Sequence, residues 1–358
     1  MKALKSLLII LTVLSAFNSG AAILIVNNSN ANPGEYYYLQ DAIDDAEVGD
    51  TLYLQPSTNS YGTVSLEKGL TLMGVGYNPK KNLPLIAEVA SITMDNSLTG
   101  ATFIGLKINA LNFPCNCYGC WKTTSNITVK NCDVAINDSN PNNCYGFNVA
   151  NNITVQNCII RNMSIPQYGN NVNVFNNIVY SPNNTFMYIG MDVTNVSIHN
   201  NLFMNNSANN GFQADGAIVE NNIFYRFSPS SPYGYVTSCI FNNNLTYQTL
   251  TDILPYGTNT GNDNIAGQNP LFENLDFTST NLFNPVLFNY RLQALSPGHQ
   301  AGTDGTDIGP YGSVIIFSET GEYEELPVVR EMNILNSTVP SGGTIQVHVK
   351  ASVSTTDH

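Results

Sequence analysis

The chain repeats itself, and that constrains its fold more than any other feature. Six segments share an alternation of apolar residues, then an Asn pair or an Asn-Cys, then more apolar residues. Examples are Asn126-Ile-Thr-Val-Lys-Asn131-Cys, Asn152-Ile-Thr-Val-Gln-Asn157-Cys and Ala217-Ile-Val-Glu-Asn221-Asn. The key asparagines are Asn131, Asn157, Asn176, Asn200, Asn221 and Asn243, spaced about 19 to 26 residues apart. A degenerate copy carries Gly105 in the Asn place, and another lies around Leu70–Gly74.

A unit this short cannot bury its own apolar face, so copies must stack on one another. The alternation has period two, which means strands, and nothing in the repeats has a helical period. One unit accommodates three short strands and their corners, the rung of a parallel β-helix. A leucine-rich repeat is the rival, but its consensus needs Leu to dominate and here it does not. Asn suits the corner because it tolerates left-handed backbone geometry. Stacked with its copies it can also form a ladder of amide hydrogen bonds. Asp in the same place would stack like charges at the ~4.8 Å spacing of adjacent strands.

That economy shows in the composition. Asn fills 52 of 358 positions, while only 11% of residues are charged, against roughly a quarter in an ordinary soluble domain. The formal net charge is −13, so the basic footprint of a nucleic-acid binder is missing. With 43% apolar and 10% aromatic residues, the chain can bury a core and is not a charge-driven disordered polymer.

The N-terminus places Lys2 and Lys5 before the apolar run Leu7–Leu14 and a small-residue exit at Gly20-Ala21-Ala22. These are the parts of a secretory signal peptide, and the run is too short to span a bilayer. Residues 1–22 are therefore expected as a leader, placing the mature protein in the periplasm, outside the cell or on its surface. Of the seven cysteines, Cys132 and Cys158 hold equivalent places in consecutive units, as do Cys117 and Cys144. Each pair is expected to be vertically adjacent, within the Cα separation that a disulfide spans. The cluster Cys115-Asn116-Cys117-Tyr118-Gly119-Cys120 has no histidine near it, and export disfavours a thiolate metal site.

Two further regions carry a resemblance. Leu39-Gln-Asp-Ala42-Ile43-Asp-Asp-Ala46 is a short amphipathic helix pattern, followed by Val48-Gly49-Asp50 and by Leu70-Thr-Leu-Met-Gly74-Val-Gly76. This order resembles the N-terminal cap and first rung of the pectate-lyase-like superfamily of right-handed β-helices. Asn269-Pro-Leu-Phe272, Asn289-Tyr-Arg-Leu292 and Ala301-Gly-Thr-Asp-Gly-Thr-Asp-Ile-Gly309 are similar to the closing coil of secreted bacterial β-helix-repeat proteins. The resemblance implies an all-β, right-handed parallel β-helix with a short capping helix. It says little about activity, since the superfamily holds lyases, hydrolases, epimerases, adhesins and non-catalytic modules. The β-helix domain is expected over 23–316, and 317–358 as an acidic linker and a two-strand tail that packs on the end of the helix.

Chemistry-bearing residues are sparse. A lyase of this superfamily would need calcium-binding carboxylates and a basic residue on one outward face. The available candidates are Asp192 and Asp215, just before their strands, and Arg161 and Arg226, just after theirs. His199 and Glu220 hold equivalent places and should stack as a surface pair. The four histidines are scattered, and His299 in the closing coil reads as structural. No signature arginine of pectate lyases and no galacturonase-like carboxylate cluster is recognisable. Tyr118, Tyr145, Tyr168, Tyr188 and Tyr233 recur about once per unit and would make an aromatic ridge for sugar rings if stacked. The expectation is a non-catalytic polysaccharide-binding or scaffold module without a cofactor. The alternatives are a lyase, epimerase or hydrolase acting on a uronate-containing glycan, with calcium if a lyase, and an adhesin-like partner module.

Overall fold

The computed structural model describes residues 20–353, apart from 30–33, 78–84, 96, 114–120, 139–146, 181–185, 231–234, 277–283, 285–286, 316, 323–326, 337 and 340. It is a parallel β-solenoid, with two long sheets running the length of the stack. One sheet has ten strands, from Ile23–Val26 through Trp121–Lys130, Phe147–Gln156, Tyr168–Phe175 and Asp192–His199 to Ile240–Asn242. The other has thirteen, including Asp133–Asn137, Ile159–Ser164, Ile178–Tyr180, Leu202–Asn210 and Ile223–Ser228. Each rung crosses the first sheet, turns at the repeat asparagine and enters the second.

Register is maintained rung to rung, so equivalent residues sit over one another: Val155 over Val174, Val174 over Ile198, Ile198 over Val219. These inward side chains are buried. The stacked rings of Phe203 and Phe224, 4.9 Å apart and nearly parallel, continue the core. The helix α1 (Leu39–Asp45) buries Leu39, Ala42 and Ile43 at the N-terminal end. It packs on Ile23–Val26 and Thr63–Leu66, the first strands of the two sheets, and covers what would be an open end.

The two sheets differ in their outer faces. Strands of the first alternate, with one face in the core and the other half-exposed. The first strands of the second, Thr63–Leu66 and Ser91–Met94, alternate too, but its later strands read as unbroken apolar runs, such as Ile178-Val179-Tyr180 and Ile223-Phe224-Tyr225, and all six of these residues are buried. Burial on both faces produces such runs. The outer cover comes from the C-terminal part of the chain, where Phe272, Tyr290, Leu292, Ile308 and Phe317 pack on Ile178, Tyr180, Leu202, Ile223, Tyr225 and Leu245.

All six repeat asparagines take left-handed backbone geometry, with φ between 50° and 57°, and Gly105 does the same at 64°. Gly74 does not; there a Cβ would stand 2.6 Å from the carbonyl oxygen of Gly105, so close approach demands the glycine. The expected amide ladder exists, but one residue further on. Asn177, Asn201, Asn222, Asn244 and Asn264 form it, each donating its Nδ2 to the Oδ1 of the next at 2.9–3.0 Å. The same Oδ1 atoms accept the backbone N–H groups of Asn177, Asn201, Asn222 and Asn244. The left-handed residue directs its side chain out of the corner, and the residue after it turns into the core. Where the second position is cysteine, Cys158 N–H donates to Asn177 Oδ1 and Cys132 N–H lies 3.4 Å from Cys158 Sγ. Cys132 and Cys158 are therefore the expected vertical neighbours, and both are free thiols. Cys117 and Cys144 lie outside the described residues.

The outward asparagines hold a second device. The segment from Ala301 to Glu322 runs back along their column as a strap. Asn243 Nδ2 donates to Ala301 O, Asn221 Nδ2 to Thr303 Oγ1, Asn200 Nδ2 to Gly312 O and Asn176 Nδ2 to Ser313 Oγ, all at 2.9 Å. Asn131 Nδ2 donates to Glu322 O at 2.7 Å, and Tyr77 anchors Ser318 and Thr320. Residues 318–322, read from sequence as the start of a linker, are thus bound to the N-terminal turns. Asn157 is the exception, its buried amide having neither atom hydrogen-bonded. The tail forms the expected antiparallel pair, Pro327–Ile334 with Val347–Val353. Its strands make their extensive contacts with one another and not with the end of the solenoid.

Candidate functional site

With the later strands of the second sheet covered, the half-exposed face of the first sheet is the surface that continues beside them along the stack. Its outward residues form columns. One runs Thr51, Thr71, Thr102, Thr128, Thr154, Asn173 and Ser197. The next contains Lys130, Gln156, Phe175, His199, Glu220 and Asn242. Where the strap runs beside this face it closes a cleft of about 450 Å³. Phe175, Ser197, His199 and Glu220 line the sheet side. Thr303, Asp304 and Ile315 line the strap side.

The expected stacking of His199 under Glu220 is present as direct register partners. The imidazole also lies flat on Phe175, with ring centres 4.9 Å apart and an interplanar angle of 3°. His199 Nδ1 faces Asn200 Oδ1 at 3.2 Å, so in the neutral ring Nδ1 is the donor and Nε2 remains an acceptor. Glu220 Oε1 accepts from Asn242 Nδ2 at 2.9 Å. Asp304 Oδ1 accepts from the hydroxyl and backbone N–H of Thr306 at 2.7 and 3.0 Å. Partial burial works to raise the Asp304 carboxyl, but the Thr306 bonds and the nearby His199 outweigh it and hold it below the usual carboxylate range. The cleft thus combines an aromatic platform with ionised and neutral acceptors, and among its described lining residues there is no lysine or arginine.

The four residues expected for lyase chemistry stand apart, each in its own local network. Asp192 opens a strand of the first sheet, where Gln167 Nε2 donates to it at 3.3 Å. Asp215 ends a short strand, Phe212–Asp215, beside the second sheet and accepts from the Thr237 hydroxyl. Arg161 donates to Ile108 O at 2.7 Å and lies 3.4 Å from Asp133, in a network with the Lys107–Glu88 pair. Burial pushes the Asp133 carboxyl above its usual range, against the pull of Arg161 and Lys107. Arg226, three rungs later, donates to Gln248 Oε1 and Asn206 O, with its guanidinium over the Tyr225 ring. His299 pairs with Asp307 at 2.7 Å.

Of the tyrosine ridge, Tyr118, Tyr145 and Tyr233 lie outside the described residues. The other two do not share a column: Tyr168 stacks between Val149 and Asp192, and Tyr188 between Ser164 and Gln213. Sequence reasoning missed Phe175 and Asp304. The first was legible, because Val172 and Val174 alternate inward and force Phe175 outward. The second was not, because only the return of the strap brings residue 304 to the sheet. Among the described residues, no three His, Cys, Asp or Glu side chains come together as metal ligands, and no helix is long and apolar enough to cross a membrane.

Fold and cleft together define a class of protein, a parallel β-solenoid with one partly covered sheet and one open, polar, cleft-bearing sheet. No protein-family model matches the chain, and no curated protein is similar to it.

Proposed function

We propose that this protein is an exported, non-catalytic glycan-binding module of the pectate-lyase-like kind, and that the cleft between the first sheet and the strap holds the sugar. The carrying observation is the Phe175–His199 stack, a flat apolar surface flanked by hydrogen-bonding groups. Sugar rings pack their apolar faces on such surfaces and satisfy their hydroxyls at the edges. The open face extends along the stack in both directions from the cleft, which suits a linear chain. Export is supported by the leader-like residues 1–22, and the superfamily by the cap motifs around Leu39–Gly76.

The test is affinity electrophoresis and calorimetry of the full chain against a panel of linear glycan oligomers. Phe175→Ala is expected to weaken binding by about tenfold or more, from the ~0.5–1.5 kcal/mol of a ring contact plus lost apolar burial. Binding left unchanged by Phe175→Ala would remove the cleft as the site. The convergence of His199, Glu220 and Asp304 favours a hydrolytic second reading. Release of reducing ends from a bound oligomer, abolished by Glu220→Gln, would establish that reading over mere binding.

A further inference from the structure

The lining of the cleft says more about its ligand than that it is a sugar. Around Phe175 the sheet side presents the Glu220 side chain, the His199 ring with Nδ1 committed to Asn200, and the Ser197 hydroxyl. Across from them the strap presents the Asp304 carboxylate, whose Oδ1 is engaged by Thr306. The wall also contains Asn176, whose Oδ1 is buried without a donor while its Nδ2 is bound to the strap. No lysine or arginine is among the described lining residues, and the lysine of the same column, Lys130, stands two rungs before Phe175. The whole chain adds a formal charge of −13.

Two carboxylates, with no lysine or arginine among the described lining residues, disfavour a polyuronate or a sulfated glycan, whose charges would be brought against them. A ligand rich in donors and carrying positive charge is complementary to the same surface. From this we infer that the cleft recognises a glycan bearing free amino groups, a polymer of de-N-acetylated hexosamine, with its ammonium between Glu220 and Asp304 and a ring face on Phe175. This rests on the reading of the cleft as a glycan site, and it excludes the uronate polymers that the fold resemblance brings to mind. Charge-assisted hydrogen bonds to an ammonium are worth about 1.5–3 kcal/mol, roughly 10- to 150-fold in affinity.

Three oligomers of equal length separate the outcomes: glucosamine, N-acetylglucosamine and galacturonate, titrated into the full chain at low salt. The glucosamine oligomer is expected to bind at least tenfold more tightly than the N-acetylated one, and galacturonate not at all. Glu220→Gln and Asp304→Asn keep the shape of the cleft, and each is expected to reduce the preference for the glucosamine over the N-acetylated oligomer about tenfold. Unfolding midpoints equal to that of the parent protein establish that both variants are folded. Equal binding of the two hexosamine oligomers, lost in Phe175→Ala, would overturn the amine preference and leave the glycan site standing. Preferential binding of galacturonate would overturn the amine preference outright, and binding of none of the three with Phe175→Ala silent would overturn both.

Discussion

At the four Asn-Asn corners from Asn176 to Asn244 two neighbouring side chains do different work because the backbone changes hand between them. The first asparagine occupies the left-handed region, a conformation costing roughly 1–2 kcal/mol per residue for most side chains, and reaches outward to the strap. The second turns inward and serves both as acceptor for a backbone N–H and as a rung in the buried amide ladder. Asn201 is the fullest case. It accepts from the N–H and Nδ2 of Asn177, and donates to Val174 O, His199 O and Asn222 Oδ1. Asn201→Ala should cost about 3 kcal/mol, because several buried partners lose their bonds at once. Asn137→Ala, in the partly exposed ladder Asn112–Asn137–Asn162, should cost about 1 kcal/mol or less. Chemical denaturation of the two variants measures the difference, and equal costs would mean that the inner ladder has no special weight. At this scale the sequence showed that asparagine governs the corner, and pointed to the left-handed residue. It did not show which of the two adjacent positions carries the ladder, since that depends on which side chain faces the core.

The strap is the element that converts a stack into a site. Its path along Asn243, Asn221, Asn200, Asn176 and Asn131 supplies one wall of the cleft, and its Ile308 and Phe317 join the cover over the later strands of the second sheet. A single position is critical to its shape: a Cβ on Gly312 would stand 1.6 Å from the carbonyl oxygen of Asp307. Gly312→Ala should therefore displace the strap by local overpacking, at about 1–3 kcal/mol. The expected result is faster amide exchange across 301–315 and weakened ligand binding, with the far-ultraviolet signature of the solenoid retained. Unaltered exchange there would show that the strap tolerates the change and that its turn is not essential. The apolar runs after the asparagine pairs, such as Ile178–Tyr180, belong to strands buried on both faces. What covers that sheet could not be read from those runs, because the covering residues, Phe272, Tyr290, Ile308 and Phe317 among them, lie outside the repeats in the C-terminal part of the chain.

Over the whole molecule, a solenoid with so few charges has little to titrate near neutrality, and its pH response is expected at the alkaline end. Burial pushes the Cys239 thiol up to about 11 and the Tyr61 and Tyr225 hydroxyls up to about 12. The same cause raises Cys158, Tyr77 and Tyr290. Each group gives up its proton more readily in the unfolded chain, so the stability it contributes is intact below about pH 9. It is lost as pH rises through 11 to 12. Thermal melts from pH 7 to 12 should stay level and then fall steeply above pH 9; a midpoint that declined evenly from pH 7 would contradict this. By itself the sequence determined the stacking, the strand period, the capping helix and the left-handed corners. All of these are local or nearest-neighbour properties, written again in each repeat. Tertiary structure alone decided where the strap returns, which sheet face stays open, and that Phe175, His199, Glu220 and Asp304 meet. Such encounters join residues far apart in a single copy of the chain, and no periodicity records them.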